Sequence, residues 1–313
     1  MAADPHWVLV TSFNEWHEGS EVEPSLEYGS KYIELTGEFA QRFKSTSRQA
    51  HAPTVSGAIT QAQREQLRQT LQKMRIAVLP DPESMAFWWL LDIGVEPKLL
   101  TWPDIVTNAV SPQEHPILLY CGSETYQRTV RTTGDVDEAL LRYQKAGGCL
   151  VALPSLPWPF YRDESGQPVN QSHRFGLTLR MGWERPPTGV DLRFVQPDRK
   201  LPHVPERFES PTAGDLRWRP FYMKDHPEYV SLLQLQSRPG DYLGDGVAYA
   251  RPSTGGHVAY AWFGLLNGPH AEQILYDLFT FLANRFGSRQ ESSPGTRMLT
   301  GLPPARTASP RLK

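Results

Sequence analysis

The spacing of apolar side chains predicts a helix near the start of the chain and an α/β pattern after it. Tyr32, Leu35, Phe39 and Phe43 recur three and four positions apart on an otherwise polar segment, which predicts an amphipathic helix over residues 29–44. Ahead of it, Val8-Leu9-Val10 is a short apolar run without alternation, the pattern of a strand covered on both faces. Residues 45–57 are small and polar with Pro53 and Gly57 as breakers, and read as a linker. A helix over 59–73 follows, with Leu67 and Leu71 on one side.

From Arg75 onward, strands and helices alternate. Buried-type strands are expected at Arg75–Pro80, Lys98–Trp102, Pro116–Gly122 and Cys149–Leu153, with helices at Met85–Asp92 and Asp135–Ala146 between them. That order predicts βαβ units and a mainly parallel sheet. The later runs Leu177–Leu179, Leu192–Val195, Val230–Leu235, Val247–Ala250 and Val258–Phe263 are short, broken by Gly and Pro, and expected as antiparallel additions. Ala271–Phe286 carries Ile274, Leu275, Leu278, Phe279 and Leu282 and predicts a closing helix. Residues 288–313, rich in Ser, Pro, Arg and Gly, are expected to be a disordered tail.

Composition narrows the partners. The 313 residues are 39% hydrophobic and 21% charged, globular in type and long enough for two domains. A formal net charge of −2 argues against partners held by basic charge, so no nucleic acid is expected. No run approaches the roughly eighteen apolar residues of a membrane span. The N-terminus has no basic region followed by an apolar one, so the chain as it stands reads as cytoplasmic; a leader lost upstream would make it secreted or periplasmic. The two cysteines, Cys121 and Cys149, lie at or beside apolar runs and are expected as buried thiols. His173, His203, His226, His257 and His270 lack metal-ligand spacing, and no metal or other cofactor is expected.

The candidate chemistry lies directly after the first strand, in Thr11-Ser12-Phe13-Asn14-Glu15-Trp16-His17-Glu18-Gly19. In α/β folds, functional groups gather beyond the carboxyl ends of strands. Glycoside hydrolysis commonly uses two carboxyl groups, one protonated to assist the leaving oxygen and one ionised as base or nucleophile. Glu15 and Glu18, packed beside Trp16, would have their protonation pushed apart, because two like charges in a partly dry pocket do not both ionise cheaply. Trp16 offers a flat face for a sugar ring. Solvated loop charges are the simpler account of Glu15, Glu18, Glu21, Glu23 and Glu27 taken alone.

Thr11 to Glu23, together with Tyr28-Gly29 and Tyr32, resembles the signature of glycoside hydrolase family 99 and the related WbsX-like proteins. The resemblance covers about the first forty-five residues and implies a (β/α)8 barrel acting on α-mannosides, endo-acting and retaining. Residue by residue it implies Glu15 as the base that assists the substrate's 2-hydroxyl towards a 1,2-anhydro intermediate. Glu18 is implied as the acid/base that protonates the leaving oxygen and then activates water. Asn14, Trp16, His17 and Glu23 are implied as neighbours of the subsite, with an oligosaccharide or polysaccharide as substrate.

A (β/α)8 barrel needs roughly 250 residues, and the signature begins at residue 11. The expected organisation is therefore a C-terminal barrel fragment over 1–44, whose remaining strands would come from an upstream segment, and a linker and helix over 45–73. An α/β sandwich over 74–287 follows, similar in pattern to class I glutamine amidotransferase-like domains. In that pattern the nucleophile turn corresponds to Leu153-Pro154-Ser155-Leu156-Pro157, where Ser155 stands in place of cysteine and prolines replace the small glycines. Cys121 is the alternative nucleophile, and Pro157–Asp163 is either a sugar-binding ledge or packed core aromatics. The glycines at 240, 244, 246, 255 and 256 are expected to serve turns. The expected functions are an enzyme portion inactive without its barrel, a non-catalytic carbohydrate-binding or assembly module, or a thiol amidotransferase.

Overall fold

The structure, a computed structural model, describes residues 22–45, 57–107, 109–123, 135–156, 159–160, 167, 169–179, 192–210 and 226–287. The chain divides into two compact units, Met1–Val55 and Ser56–Lys313. The strand expected at Val8–Val10 and the tail at 288–313 lie outside the described residues.

In the first unit, a turn closed by the Ser25–Gly29 bridge leads into α1, Lys31–Ser45. The Ser25 hydroxyl accepts from the Tyr28 amide at 3.0 Å, and Gly29 takes a φ of 56° that a side chain would disfavour. Tyr32, Leu35 and Phe39 fall on α1 as the spacing predicts, and all three are exposed.

The second unit is built on one nine-stranded mixed sheet. Its strands are β1 Ala77–Val78, β2 Lys98–Leu99, β3 Ile117–Tyr120, β4 Cys149–Ala152, β5 Leu192–Val195, β6 Arg207–Glu209, β7 Glu228–Ser237, β8 Tyr242–Arg251 and β9 His257–Ala261. They lie in the order β2-β1-β3-β4-β9-β8-β7-β5-β6. The first five are mutually parallel; from β9 onward each neighbour is antiparallel. The parallel half explains the unbroken apolar runs: every residue of β3, β4 and β9 is buried, as strands covered on both faces must be.

The helices of this unit are α2 Gln61–Met74, α3 Met85–Asp92, α4 Trp102–Val106, α5 Val136–Lys145, α6 Phe263–Leu266 and α7 Ala271–Phe286. From β1 the chain crosses to β2 on one side through α3, then returns past β1 to β3 through α4. Right-handed crossovers in opposite directions put α3 and α4 on opposite faces. Accordingly α3 meets α7 through stacked rings of Trp89 and Phe279, 5.9 Å between centroids, and α2 also packs on α7, whereas α4 packs on α5. Leu67, Leu71 and Met74 form the buried stripe of α2, and Val136, Leu140 and Tyr143 that of α5.

Three expectations are corrected. The Val258–Phe263 run is not an antiparallel addition at the rim. Its β9 portion pairs in parallel with β4 and joins the two halves of the sheet, and Phe263 already belongs to α6. The expected strand at Lys98–Trp102 shortens to two residues, because Thr101 caps α4: its hydroxyl accepts from the Asp104 amide, and the Asp104 carboxylate accepts from the Thr101 amide at 2.8 Å. Leu177–Leu179 forms no strand and follows a 3-10 turn at Ser172–Phe175. Conversely, β6, α4 and α6 carry no periodic signal because each is five residues or shorter.

At its start α7 is unusually capped. His270 occupies the N-cap position without a side-chain hydrogen bond to the helix, and its buried Nδ1 has no partner. Burial lowers the basicity of this imidazole below the usual histidine range. The folded state therefore resists the proton that the unfolded chain accepts, so stability is full above the unfolded histidine value and falls as pH drops through it. Replacing His270 by Asn, a good N-cap residue, is expected to stabilise the unit by about 1 kcal/mol and to flatten this acid slope. Urea melts of both proteins between pH 8 and pH 5 measure the two effects.

Candidate functional site

Asn14, Glu15, Trp16, His17 and Glu18 lie outside the described residues. Of the six sequence-predicted site residues, Glu23 alone is described; it is half-buried in the first unit, just ahead of the Ser25–Gly29 turn.

In the second unit the sheet supplies a separate candidate location. The order β2-β1-β3 reverses direction at β1 and β3, and crevices at such switch points are where open α/β sheets place ligands. Three loops converge there. The amides of Glu83 and Ser84 both donate to the Cys121 carbonyl at 2.8 Å, joining the loop after β1 to that after β3. The Ser155 amide donates to the Gly122 carbonyl at 3.0 Å, bringing in the loop after β4. The Ser155 hydroxyl then donates to Glu83 Oε2 at 3.4 Å, and Asp81 stands exposed on the same loop as Glu83. Ser84 is buried and caps α3 through the Ala86 amide.

This edge offers carboxylate and hydroxyl groups able to hydrogen-bond a polyhydroxylated ligand. It does not offer an activated thiol. Cys121 is fully buried, and desolvation pushes its thiol well up, holding it in the unreactive protonated form. Cys149 is also buried. The aromatic segment around Phe160 divides similarly: Phe160 is fully buried between Tyr120 and Phe175, with centroids 4.6 and 4.5 Å away, so this ring is core and not ledge. Among the described residues, no group of three or more His, Cys, Asp and Glu side chains is placed to hold a metal.

Two buried polar clusters have no counterpart in the sequence reading. On the β7–β8 pair, the fully buried Asp245 carboxylate accepts hydrogen bonds from the hydroxyls of Tyr229, Tyr242 and Ser231, the last at 2.5 Å. Burial first, and then the nearby carboxylate, push both phenols up, so they remain donors. On α7, Asp277 accepts from the backbone amide of His203 at 2.8 Å and from the ring Nδ1 at 2.6 Å. Burial raises the Asp277 carboxyl above its ordinary range, opposed by these hydrogen bonds. The first is set by the pairing of β7 with β8, and the second joins residues 74 apart in sequence.

No family model matches the chain, and no curated protein matches it. Several solved structures are similar at low identity. Gan42B, a GH42 beta-galactosidase from G. stearothermophilus, is 10% identical over 67% of this chain and 30% of that chain, with a TM-score of 0.38. A cytoplasmic protein from Salmonella typhimurium is 11% identical over 64% of this chain and 87% of that one, with a TM-score of 0.40. An exo-beta-1,4-mannosidase from Opitutaceae bacterium strain TAV5 is 11% identical over 88% of this chain and 40% of that one, with a TM-score of 0.31. The chain thus spans under half the length of either glycosidase. The class the coordinates define is a mixed α/β protein built on a single large sheet, in which no described helix is long and apolar enough to cross a membrane.

Proposed function

We propose that this chain is the C-terminal portion of a retaining, endo-acting glycoside hydrolase with an α-mannoside-type substrate. The observation that carries the proposal is the Asn14-Glu15-Trp16-His17-Glu18-Gly19 stretch after a short apolar run. In this reading Glu15 is the base acting on the sugar 2-hydroxyl and Glu18 the acid/base at the glycosidic oxygen. Asn14, Trp16, His17 and Glu23 line the subsite. Residues 1–44 are a barrel fragment, 45–73 a linker and helix, and 74–287 an amidotransferase-like accessory domain without catalysis of its own.

Two carboxyl groups suit this chemistry because the leaving oxygen needs a proton while the sugar's own hydroxyl must lose one. Barrel strands beyond those 44 residues would supply the walls and exclude water. The chain alone is accordingly expected to turn over α-mannosides little or not at all. The test is an assay of the chain alone, then joined to an upstream barrel segment. Activity of the joined enzyme that survives replacement of both Glu15 and Glu18 by Gln would end the assignment.

A second reading makes residues 75–287 a carbohydrate-binding module. It is favoured by the polar edge at the switch point, where Asp81, Glu83 and Ser155 come together. Calorimetry of the full chain against a broad glycan panel tests it, and flat titrations throughout would remove it. The thiol amidotransferase reading is disfavoured by the buried, protonated Cys121.

A further inference from the structure

The first turn of α2 is held by a chain of hydrogen bonds whose polarity is fully determined. The Thr60 amide is a donor and points at Gln63 Oε1, 2.8 Å away; the Thr60 hydroxyl also donates to this oxygen, at 2.9 Å. The Gln63 amide group must therefore turn its NH2 towards His203 Nε2, at 3.0 Å. An NH2 group donates only, so Nε2 accepts and carries no proton. The imidazole proton then sits on Nδ1, where it is donated to Asp277 Oδ1 at 2.6 Å. Every partner in the relay is fixed by a backbone N–H at one end and a carboxylate at the other.

The backbone also presses on this point. Gly57 has a φ of +112°, and a Cβ there would lie 2.3 Å from the His203 carbonyl oxygen, so the start of the unit is packed directly on the histidine. Asp277 and the edge of Tyr276, with centroids 4.9 Å apart, face the ring from α7, and Gln63 faces it from α2. Arg64 of α2 and Glu272 of α7 are paired with one another.

We propose that His203 is a pH-operated latch on the first turn of α2. When acid places a proton on Nε2, two donors face each other across the Gln63–His203 contact. Asp277 stabilises the imidazolium, so the strain is relieved on the other side, by rotation of the Gln63 amide. Rotation presents the Gln63 oxygen to Nε2–H and the NH2 to the Thr60 amide, again donor against donor, and the capping box opens. The latch is closed with neutral His203 and open with the imidazolium.

Amide hydrogen exchange on the full chain from pH 8 to pH 5, normalised to intrinsic rates, tests this. Between pH 8 and pH 5, protection at Thr60 and Gln63 is expected to fall about fivefold beyond any loss at Leu71, deep in the same helix, the equilibrium equivalent of losing one N-cap. Gln63→Glu should reverse the sign. A carboxylate there accepts from Thr60 and from protonated Nε2–H together, so protection persists in acid and weakens as the ring loses its proton. An acidic residue in the first turn also favours the helix, so this variant is expected to fold. Protection that does not change with pH in the parent, or the same acid loss in Gln63→Glu, overturns the proposal.

Discussion

Under the proposed function, replacing Glu18 by Gln in the chain joined to an upstream barrel segment is expected to lower kcat/KM on an unactivated α-mannoside by about 10³-fold, within the range that one positioned proton-transfer group supplies. The reason is specific to the step. The leaving sugar oxygen is strongly basic and departs poorly unless it is protonated, which an amide cannot do. An aryl mannoside with an acidic phenol as leaving group needs no such help, so the same variant should lose far less on it. Glu15→Gln should not show this recovery, because its proposed work is on the 2-hydroxyl and is needed whatever leaves. Steady-state kinetics of both variants on the two substrate types separates the roles. Equal losses on both substrates for both variants would remove the assignment of Glu18 as acid.

Replacing Asp245 by Ala is expected to destabilise the second unit by about 3 kcal/mol, because three hydroxyls that now donate to one buried carboxylate lose their acceptor together. The effect belongs to the β7–β8 pair, whose register shifts between Ser231 and Leu233, between Leu233 and Gln234, and between Leu235 and Gln236. Irregular pairing leaves the ladder weaker there, and the Tyr229–Asp245–Tyr242 cluster spans it. Asp245→Asn keeps one acceptor oxygen but turns an NH2 towards a hydroxyl, so a smaller loss is expected. Urea denaturation measures both; an Ala variant as stable as the parent would show that the cluster contributes nothing net.

The proposed latch and the His270 cap act on neighbouring helices but differ in kind. His270 opposes its own protonation through burial, and the result is a graded loss of stability in acid. His203 already has a carboxylate partner, so protonation rearranges a hydrogen-bond chain locally. Global melts read the first and site-resolved exchange reads the second.

Sequence alone was sufficient wherever the controlling interaction is local. Leu67 and Leu71 stand four residues apart and mark the buried face of α2 directly. The buried runs of β3 and β4 and the stripes of α2, α5 and α7 are equally visible, because period and burial follow directly from side-chain order. The resemblance at Asn14 to Gly19 is local too, since it rests on residue order alone. Only the tertiary structure decided which strands are neighbours. An apolar run such as Val258–Ala261 has the same composition whether it closes a parallel half or extends an antiparallel one. It alone settled that Gln63 meets His203 across 140 residues and that His203 meets Asp277 across 74. Such contacts exist only after the sheet has closed and brought α2, the loop before β6 and α7 to one place. Hydrogen bonds of that kind leave no period in the sequence, since their geometry is set by packing and not by chain distance.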